Sequence, residues 1–354
     1  MNQRIQIRKG FAPSMAVAAI ITAVVFSCTP PLLYYILEKT GFEPWAVPLI
    51  SLGLGVVLGA FLFKFPVSIV TRMENQANEL LTDLEGVNQE LLDGRDRLNQ
   101  TQQELVESNQ RILKELQLAS TIQSSLFPIN LPDVPGVTLA ATAVAANEVG
   151  GDYIDLFVTK HNKLGVAIGD VMGKGVPAAL FVAMTYAFVR NYAMEMDSPG
   201  ALVDRINWGL FPQLELTEQF ITLFYSIYDP DKRELVYTNA GHNPPIVYRA
   251  GTGECETLEI RDYFMGGRAD AQYREGTVAL NQGDIVFFYT DGLKEGRNKE
   301  KEQFGLGRIV RLIKENHMHD PASIQEIISY EFTEFLAGEP PYDDVTMTVI
   351  KINE

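Results

Sequence analysis

The chain has 354 residues, room for one catalytic domain and an additional region, and it carries a formal net charge of −16. Because nucleic acids are polyanions and no basic stripe offsets this charge, the composition argues against nucleic-acid binding. Cys28 lies in an apolar run and Cys255 in a polar turn, and with no other cysteine present a structural disulfide is not expected.

The first predicted elements are two membrane-spanning helices. Residues 11–37 and 44–63 contain no charged side chain, and each run is long enough to cross a bilayer core, which takes ~20 helical residues. The polar segment 38–43 between them predicts a helical hairpin whose loop is too short for an extracellular sensor domain. Two alternatives are a cleaved signal peptide over residues 1–28 and a hairpin buried in a protein core.

Positive charges flank the two apolar runs on one side of the predicted hairpin, at Arg4, Arg8, Lys9, Lys64 and Arg72. The positive-inside rule therefore places both ends of the hairpin in the cytoplasm. We predict that residues 1–70 form a multi-pass anchor in a bacterial cytoplasmic (inner) membrane, with the remaining chain in the cytoplasm. A signal would then come from the bilayer, from the cytoplasmic linker or from a partner membrane protein.

A heptad pattern follows the second apolar run. From Met73 to Leu105, and on to Ile112, apolar residues recur with alternating spacings of four and three, which is typical of a coiled coil. We assign residues 71–118 to a coiled-coil linker. A parallel homodimer is predicted, because membrane hairpins already align the chains in that sense. A single solvated amphipathic helix is the alternative.

The rest of the chain, residues 119–354, alternates short β-rich runs with helical stretches. Strands are predicted at residues 137–144, 153–158, 165–168, 221–228, 234–238, 246–248, 284–289 and 345–352. Helices are predicted at residues 177–196, 201–214, 306–316 and 321–335. This order predicts a layered α+β domain rather than a doubly wound sheet.

Aspartates lie at the ends of several predicted strands, in turn-like segments: Asp152, Asp170, Asp291 and Asp343. Converging carboxylates repel one another unless cations lie between them. Oxygen ligands without a histidine or cysteine cluster fit Mg²⁺ or Mn²⁺ better than Zn²⁺. Two such ions would hold a hydroxide for in-line attack on a phosphate. Any one of these aspartates alone is more often a turn or cap residue, so the prediction depends on the whole set.

Other polar residues nearby each have two interpretations. Asp155 and Asp344 are candidates for hydrogen bonds to the metal ligands, or they cap turns. Lys174, between two glycines, either contacts phosphate or simply leads into a helix. His242 is a candidate proton donor, but a structural hydrogen bond is the favoured interpretation because Pro244 and Pro245 fix the backbone there.

Five segments carry a resemblance to a known family: EVGGDYID at 148–155, GDVMGKGVPAA at 169–179, NAGHNPP at 239–245, YTDGL at 289–293 and DDVT at 343–346. In this order they resemble the SpoIIE/RsbU-type bacterial branch of the metal-dependent type 2C serine/threonine protein phosphatases. The resemblance covers about residues 115–354. Ile122-Gln123 and residues 126–128 are similar to the regulatory helix that leads into these domains.

The resemblance implies a β-sandwich flanked by helices, with two Mn²⁺ or Mg²⁺ ions at one end. It implies that Asp170 bridges both ions and that the Val171 carbonyl helps to hold one. Asp152 would bind one ion, while Asp291 and Asp343 would bind the other. The implied reaction is hydrolysis of phosphoserine or phosphothreonine on a protein. A STAS-type anti-sigma antagonist in a partner-switching pathway is the implied substrate.

Two other functions stay open at this point. One is a non-catalytic membrane scaffold that binds partners, although the complete set of aspartates argues against it. The other is hydrolysis of a small phosphorylated metabolite, which a deep and narrow pocket would support. The cationic residue that grips substrate phosphate in eukaryotic relatives has no obvious equivalent in this sequence, so the sequence does not predict how the substrate is positioned.

Overall fold

The computed structural model describes residues 45–127 and 130–353, and also residues 20, 23, 34–36, 38–40 and 43, without the side chains at 47, 62, 63, 65 and 66. Most of the predicted first span, residues 11–37, and its flanking cations Arg4, Arg8 and Lys9 lie outside the described residues. Among the residues that are described, no helix is both long enough and apolar enough to cross a membrane.

The linker region is helical throughout. One helix, α1, runs without interruption over Ala46–Ser124, so no break in it marks the predicted boundaries at residues 70 and 118. Leucine, glutamate and glutamine favour this conformation, and pairs such as Gln89–Asp93, with Nε2 3.0 Å from Oδ1, support it along the surface. The described residues divide into two compact units between Val106 and Glu107. Whether α1 pairs with a second copy stays a prediction.

Residues 137–352 contain two antiparallel sheets. The first sheet has the strand order β1-β10-β9-β6-β7, and the second has the order β2-β3-β4-β5-β8. The strands are β1 (Val137–Val144), β2 (Asp152–Val158), β3 (Leu164–Val171), β4 (Ile221–Asp229), β5 (Glu234–Ala240), β6 (Ile246–Arg249), β7 (Glu254–Thr257), β8 (Gly276–Ala279), β9 (Ile285–Tyr289) and β10 (Val345–Ile352).

Helices cover the outer faces of both sheets. They are α2 (Val176–Tyr192), α3 (Pro199–Thr217), α4 (Asp291–Glu295), α5 (Gly305–Asn316) and α6 (Pro321–Leu336). The start of α3 is set by Ser198, whose Oγ accepts from the Ala201 N–H at 3.2 Å. Asp320 starts α6 in the same way, with Oδ1 3.0 Å from the Ser323 nitrogen.

Three apolar cores hold these layers together. The central core lies between the two sheets, where Phe224 and Phe288 meet edge to face with ring centroids 5.6 Å apart. A second core packs α2 and α3 on the β2-β3-β4-β5-β8 sheet. A third packs α5 and α6 on the other sheet. The predicted α+β sandwich flanked by helices is therefore confirmed.

The sequence prediction missed three short elements in this domain. Strands β7 and β8 have four residues each and lie at sheet edges, with partly exposed side chains. Such strands lack the apolar alternation that identifies a half-buried strand. Helix α4 has only five residues and follows β9 directly after Thr290. It is the helix that begins with the predicted metal ligand Asp291.

Candidate active site

The predicted metal ligands meet at one end of the sandwich. Asp152 and Asp170 are direct cross-strand partners in the β2–β3 pair. Asp291 begins α4 just beyond the end of β9, and Asp343 lies just before β10. Since β9 and β10 are antiparallel neighbours, the end of one strand lies beside the start of the other. The four aspartates therefore lie at the same end of the sandwich, and their role as metal ligands stays a prediction.

Asp152 is buried and is oriented by a hydroxyl group. Its Oδ2 accepts from Thr290 Oγ1 at 2.8 Å, and that hydroxyl in turn accepts from the Thr346 N–H at 3.0 Å. Burial first, and then repulsion from Asp170, raises the pKa of Asp152 well above its usual range. An ionised Asp152 therefore needs a compensating cation.

Asp170 is the electrostatic centre of the site. Burial, followed by repulsion from the carboxylates of Asp291, Asp343 and Asp344, raises the pKa of Asp170 to about 7. Lys174 opposes this increase. Burial, followed by repulsion from the Asp343 carboxylate, also raises the pKa of Asp291. Like charges have this effect on each other only when they lie close together.

Gly151 leaves room for oxygen ligands. A Cβ atom at this position would lie 3.0 Å from the Val171 carbonyl oxygen and 3.4 Å from Asp170 Oδ1. These two oxygens, both predicted ligands, therefore face the same small space. Any larger residue at Gly151 would fill the space that an ion and its water need.

A metal ion fits this donor set, although the side chains alone do not enclose one. Within residues 45–127 and 130–353 and the few described before them, no three histidine, cysteine or acidic side chains are grouped tightly enough to form a complete metal site. Mg²⁺ does not require such a group, because it keeps several waters and commonly binds through one or two carboxylates. Asp170 with the Val171 carbonyl offers that kind of partial coordination.

Lys174 does more than lead into α2. Its Nζ lies 3.1 Å from Asp343 Oδ1, donates to the Tyr342 carbonyl and sits 4.2 Å from the centroid of the Tyr342 ring. Neither interpretation from the sequence anticipated this ion pair. The ammonium group places a positive charge at the edge of the carboxylate cluster.

Asp344 supports the cluster, as one of its two interpretations predicted. Its Oδ1 accepts from the Ala146 N–H at 2.7 Å, and its Oδ2 accepts from the N–H groups of Gly151 at 2.6 Å and Asp152 at 3.3 Å. The carboxylate thus holds the start of β2 against the start of β10. This contact fixes where Asp152 lies.

The prediction that Asp155 would hydrogen-bond the metal ligands is wrong. Side chains alternate along a strand, so Asp155 points to the opposite face of the sheet from Asp152. There both of its oxygens accept hydrogen bonds from Arg190, from Nε and Nη2, each at 2.6 Å. Tyr153 Oη lies 3.4 Å away. Asp155 therefore forms a structural ion pair beneath α2.

His242 has the structural role that the sequence favoured. Its ring Nδ1 lies 2.9 Å from Thr222 Oγ1, and its backbone N–H donates to Asn239 Oδ1 at 2.7 Å. Burial lowers the pKa of His242 to about 3. The ring is therefore neutral at physiological pH and does not carry the extra proton that an imidazolium acid would donate.

The structure adds Gln123 to the surroundings of the site. Near the end of α1, the Gln123 amide donates to the Gly150 carbonyl at 2.7 Å and accepts from the Gly150 N–H at 3.0 Å. Both hydrogen bonds are buried. The sequence marked Gln123 only by its resemblance to a regulatory helix and gave no indication of this contact. Thr290, too, was noted only as part of a motif.

The chain is similar to known phosphatases. The family model described as stage II sporulation protein E (SpoIIE) matches residues 160–353. Phosphoserine phosphatase RsbU of Bacillus subtilis is 28% identical over 246 residues, covering 68% of this chain and 71% of that protein. Phosphoserine phosphatase RsbP of the same organism is 26% identical over 185 residues, covering 51% of this chain and 45% of that one.

Among solved structures, the fold is similar to that of the SiaA-PP2C domain of Pseudomonas aeruginosa. The TM-score is 0.61 at 20% identity, and the match covers 70% of this chain and 99% of that domain. At this identity the similarity establishes the fold. The match between sheets and flanking helices agrees with the layers described above.

Proposed function

The chain belongs to the SpoIIE family and is a PP2C-type protein serine/threonine phosphatase, and we propose that its carboxylate cluster works with two Mg²⁺ or Mn²⁺ ions. The proposed ligands are Asp152, Asp170, Asp291, Asp343 and the Val171 carbonyl. The observation that carries this proposal is the position of Asp170, which is the cross-strand partner of Asp152 and lies close enough to Asp291 and Asp343 for their charges to repel. Divalent ions remove that repulsion and supply a hydroxide nucleophile at neutral pH.

The protein side chains then have distinct tasks. Asp344 holds the backbone of Gly151 and Asp152 in place. The Thr290 hydroxyl orients the Asp152 carboxylate. The Lys174 ammonium, at the edge of the cluster beside Asp343, attracts the incoming phosphate dianion. This assigns to Lys174 the phosphate contact that the sequence left open.

The direct test is hydrolysis by the full-length protein with Mn²⁺, with Mg²⁺ and with EDTA. The substrates are phosphoserine and phosphothreonine proteins and, for comparison, small phosphorylated metabolites. We expect metal-dependent release of phosphate from proteins, and loss of activity in Asp170→Asn and Asp291→Asn. Asp231→Asn, the same change on an exposed turn between β4 and β5, serves as the control. Full activity in both site variants would reject the site, and preference for metabolites would reject the substrate class.

For the substrate, we propose a phosphorylated STAS-type anti-sigma antagonist in a partner-switching pathway. The support is similarity to two proteins named phosphoserine phosphatases, RsbU and RsbP. Phosphorylated STAS proteins should be dephosphorylated at least ten times faster than unrelated phosphoserine proteins matched in charge. Equal rates for the two groups would reject this partner.

We propose that residues 1–70 anchor the protein in a bacterial cytoplasmic membrane, with the catalytic domain in the cytoplasm and a membrane-protein partner able to supply a signal. The support is the pair of charge-free runs and the cations that flank them. After Cys28 and Cys255 are replaced by serine, an impermeant thiol reagent should label Thr40→Cys in intact cells but not Ser120→Cys. Labelling at Ser120→Cys would reject this orientation.

We also propose that α1 pairs with α1 of a second copy. The seam residues Leu84, Leu91 and Leu98 are 66–67% exposed in the single chain, which is unfavourable for leucine unless a partner covers them. Leu84→Asp with Leu91→Asp should convert a dimer to a monomer in analytical ultracentrifugation. The control, Leu81→Asp with Leu92→Asp, carries the same changes off the seam and should remain dimeric. A monomeric parent protein would reject the proposal.

A further inference from the structure

A cavity of about 530 Å³ lies beside the carboxylate cluster. Arg297, Lys299, Lys301 and Tyr342 line it. Glu295 and Glu339 also line it. Cations therefore outnumber carboxylates in its wall, although the chain as a whole carries a net charge of −16. A cavity with a positively charged wall is unusual on such an acidic protein.

The cations are held on a short, hydrogen-bonded turn, residues 297–303, which we call the cationic hairpin. Arg297 and Gln303 form an isolated antiparallel bridge. Within the turn, Asn298 Oδ1 accepts from the Glu302 N–H at 2.8 Å, and the Asn298 carbonyl accepts from the Lys301 N–H at 2.9 Å. These bonds fix the backbone from which Lys299 and Lys301 project.

The charges of the cationic hairpin are unpaired within the part of the chain that the structure describes. Arg297, Lys299 and Lys301 are exposed, and no carboxylate among the described residues forms an ion pair with any of them. Two of the nearby acids have other partners. Glu302 pairs with Arg308 at 2.8 Å, and Glu295 lies 3.6 Å from Lys294.

The cavity shares a wall with the active site. Tyr342 immediately precedes Asp343, and its ring lies against the Lys174 ammonium group that pairs with Asp343. Helix α4 runs from Asp291 to Glu295, which also lines the cavity. A peptide whose phosphate reaches the carboxylate cluster would therefore place its neighbouring residues in or near this cavity.

We propose that the cationic hairpin binds acidic residues that flank the phosphorylated serine or threonine of the protein substrate. This inference rests on the proposed phosphatase function and specifies the chemistry of its substrate. The cavity is larger than a single phosphate group requires, and its cations are spread over several residues, which fits a peptide segment. Exposed ion pairs are individually weak, so we expect the hairpin to favour substrates with acidic flanking residues rather than to be essential for hydrolysis. This preference should be most pronounced at low salt.

The test compares two phosphoserine peptides with the full-length protein and Mn²⁺. One peptide has aspartates on both sides of the phosphoserine, and the other has asparagines in their place. Lys299→Glu combined with Lys301→Glu should raise KM for the aspartate peptide about tenfold at low salt, with kcat nearly unchanged. Hydrolysis of the asparagine peptide and of p-nitrophenyl phosphate should change less than twofold.

The control is Lys160→Glu combined with Lys232→Glu, two exposed lysines on turns at the far ends of β2 and β4. It makes the same change in net charge away from the site and should leave the peptide preference intact. A parent protein without preference for the aspartate peptide, or equal losses on both peptides in the hairpin variant, would overturn the inference. If the parent hydrolyses neither peptide nor p-nitrophenyl phosphate, the proposed function itself fails.

Discussion

Strand β2 carries two buried aspartates with different partners. On one face of the sheet, Asp155 is completely buried, and both its oxygens are bonded by Arg190, which also lies over the ring of Phe157. On the other face, Asp152 has Asp170 as its cross-strand partner, and burial, followed by repulsion from Asp170, raises its pKa. One carboxylate has its cation within the protein, and the other does not.

We propose that this difference separates a structural carboxylate from a functional one. A buried charge with a fixed protein partner completes the fold and leaves no vacant coordination position. A buried cluster of carboxylates without enough cations has unused affinity for ions from solution. Burial and an acidic residue are common to both sites, so only the partner distinguishes them.

Replacing Asp170 should have the largest effect on activity and a small or favourable effect on stability. Asp170→Asn removes a proposed ligand to both ions, so phosphate release should fall by on the order of 10³-fold. Without metal, the same change relieves repulsion, so the melting temperature in EDTA should stay equal or rise. A melting temperature lowered by many degrees would mean that Asp170 is structural, like Asp155.

Replacing Arg190 should have a large effect on stability and a small effect on activity. Arg190→Met leaves Asp155 buried without its cation, and we expect a loss of about 2–3 kcal/mol of unfolding free energy. This value lies below the usual range for buried pairs because the Arg190 side chain is 39% exposed. Urea unfolding measures the loss, and the double variant with Asp155→Asn should recover part of it. Activity per folded molecule should remain within a few fold of the parent.

The sequence could anticipate the contrast between Asp152 and Asp155 only where the interacting residues lie close together along the chain. The strand-end aspartates were predictable because turn-like segments at strand ends are visible locally. Strand alternation alone could also have placed Asp155 on the face opposite Asp152. Its actual partner, Arg190, lies 35 residues away, and the contact exists only after α2 packs on the sheet. Thr290 reaches Asp152 across 138 residues, beyond any local pattern.

The hydroxyl neighbours of the two aspartates provide a finer comparison. Thr290→Val keeps the shape of the side chain but removes the 2.8 Å hydrogen bond to Asp152, so Mn²⁺ affinity and activity should fall about tenfold. Tyr153→Phe removes a 3.4 Å contact to Asp155, which retains both bonds from Arg190, so activity should change less than twofold. Calorimetric titration with Mn²⁺ and phosphate release measure the two effects. Equal losses of activity in Thr290→Val and Tyr153→Phe would contradict the distinction between a metal-binding Asp152 and a structural Asp155.

The smallest expected effect is a pH dependence of stability in EDTA. Asp170 has a pKa of about 7 in the metal-free folded protein, against an ordinary value of 3.8. The folded state therefore binds more protons than the unfolded chain between these values, and Asp170 makes the protein less stable as pH rises through this window. The melting temperature of Asp170→Asn minus that of the parent should increase from pH 5 to pH 8. A difference independent of pH would show that Asp170 is not perturbed.

The hydrogen bond from the Gly151 N–H to the Asp344 carboxylate also bears on when the domain can fold during its synthesis. The Gly151 N–H and the Asp344 carboxylate are 193 residues apart, and β10, which follows Asp344, lies inside its sheet between β1 and β9. Contacts over such distances form late, because long loops must close first. A nascent chain that has already completed β2 and β3 still lacks Asp343 and Asp344. During synthesis, the carboxylate cluster therefore stays incomplete until residues 343–352 have emerged from the ribosome and β10 has inserted into the sheet.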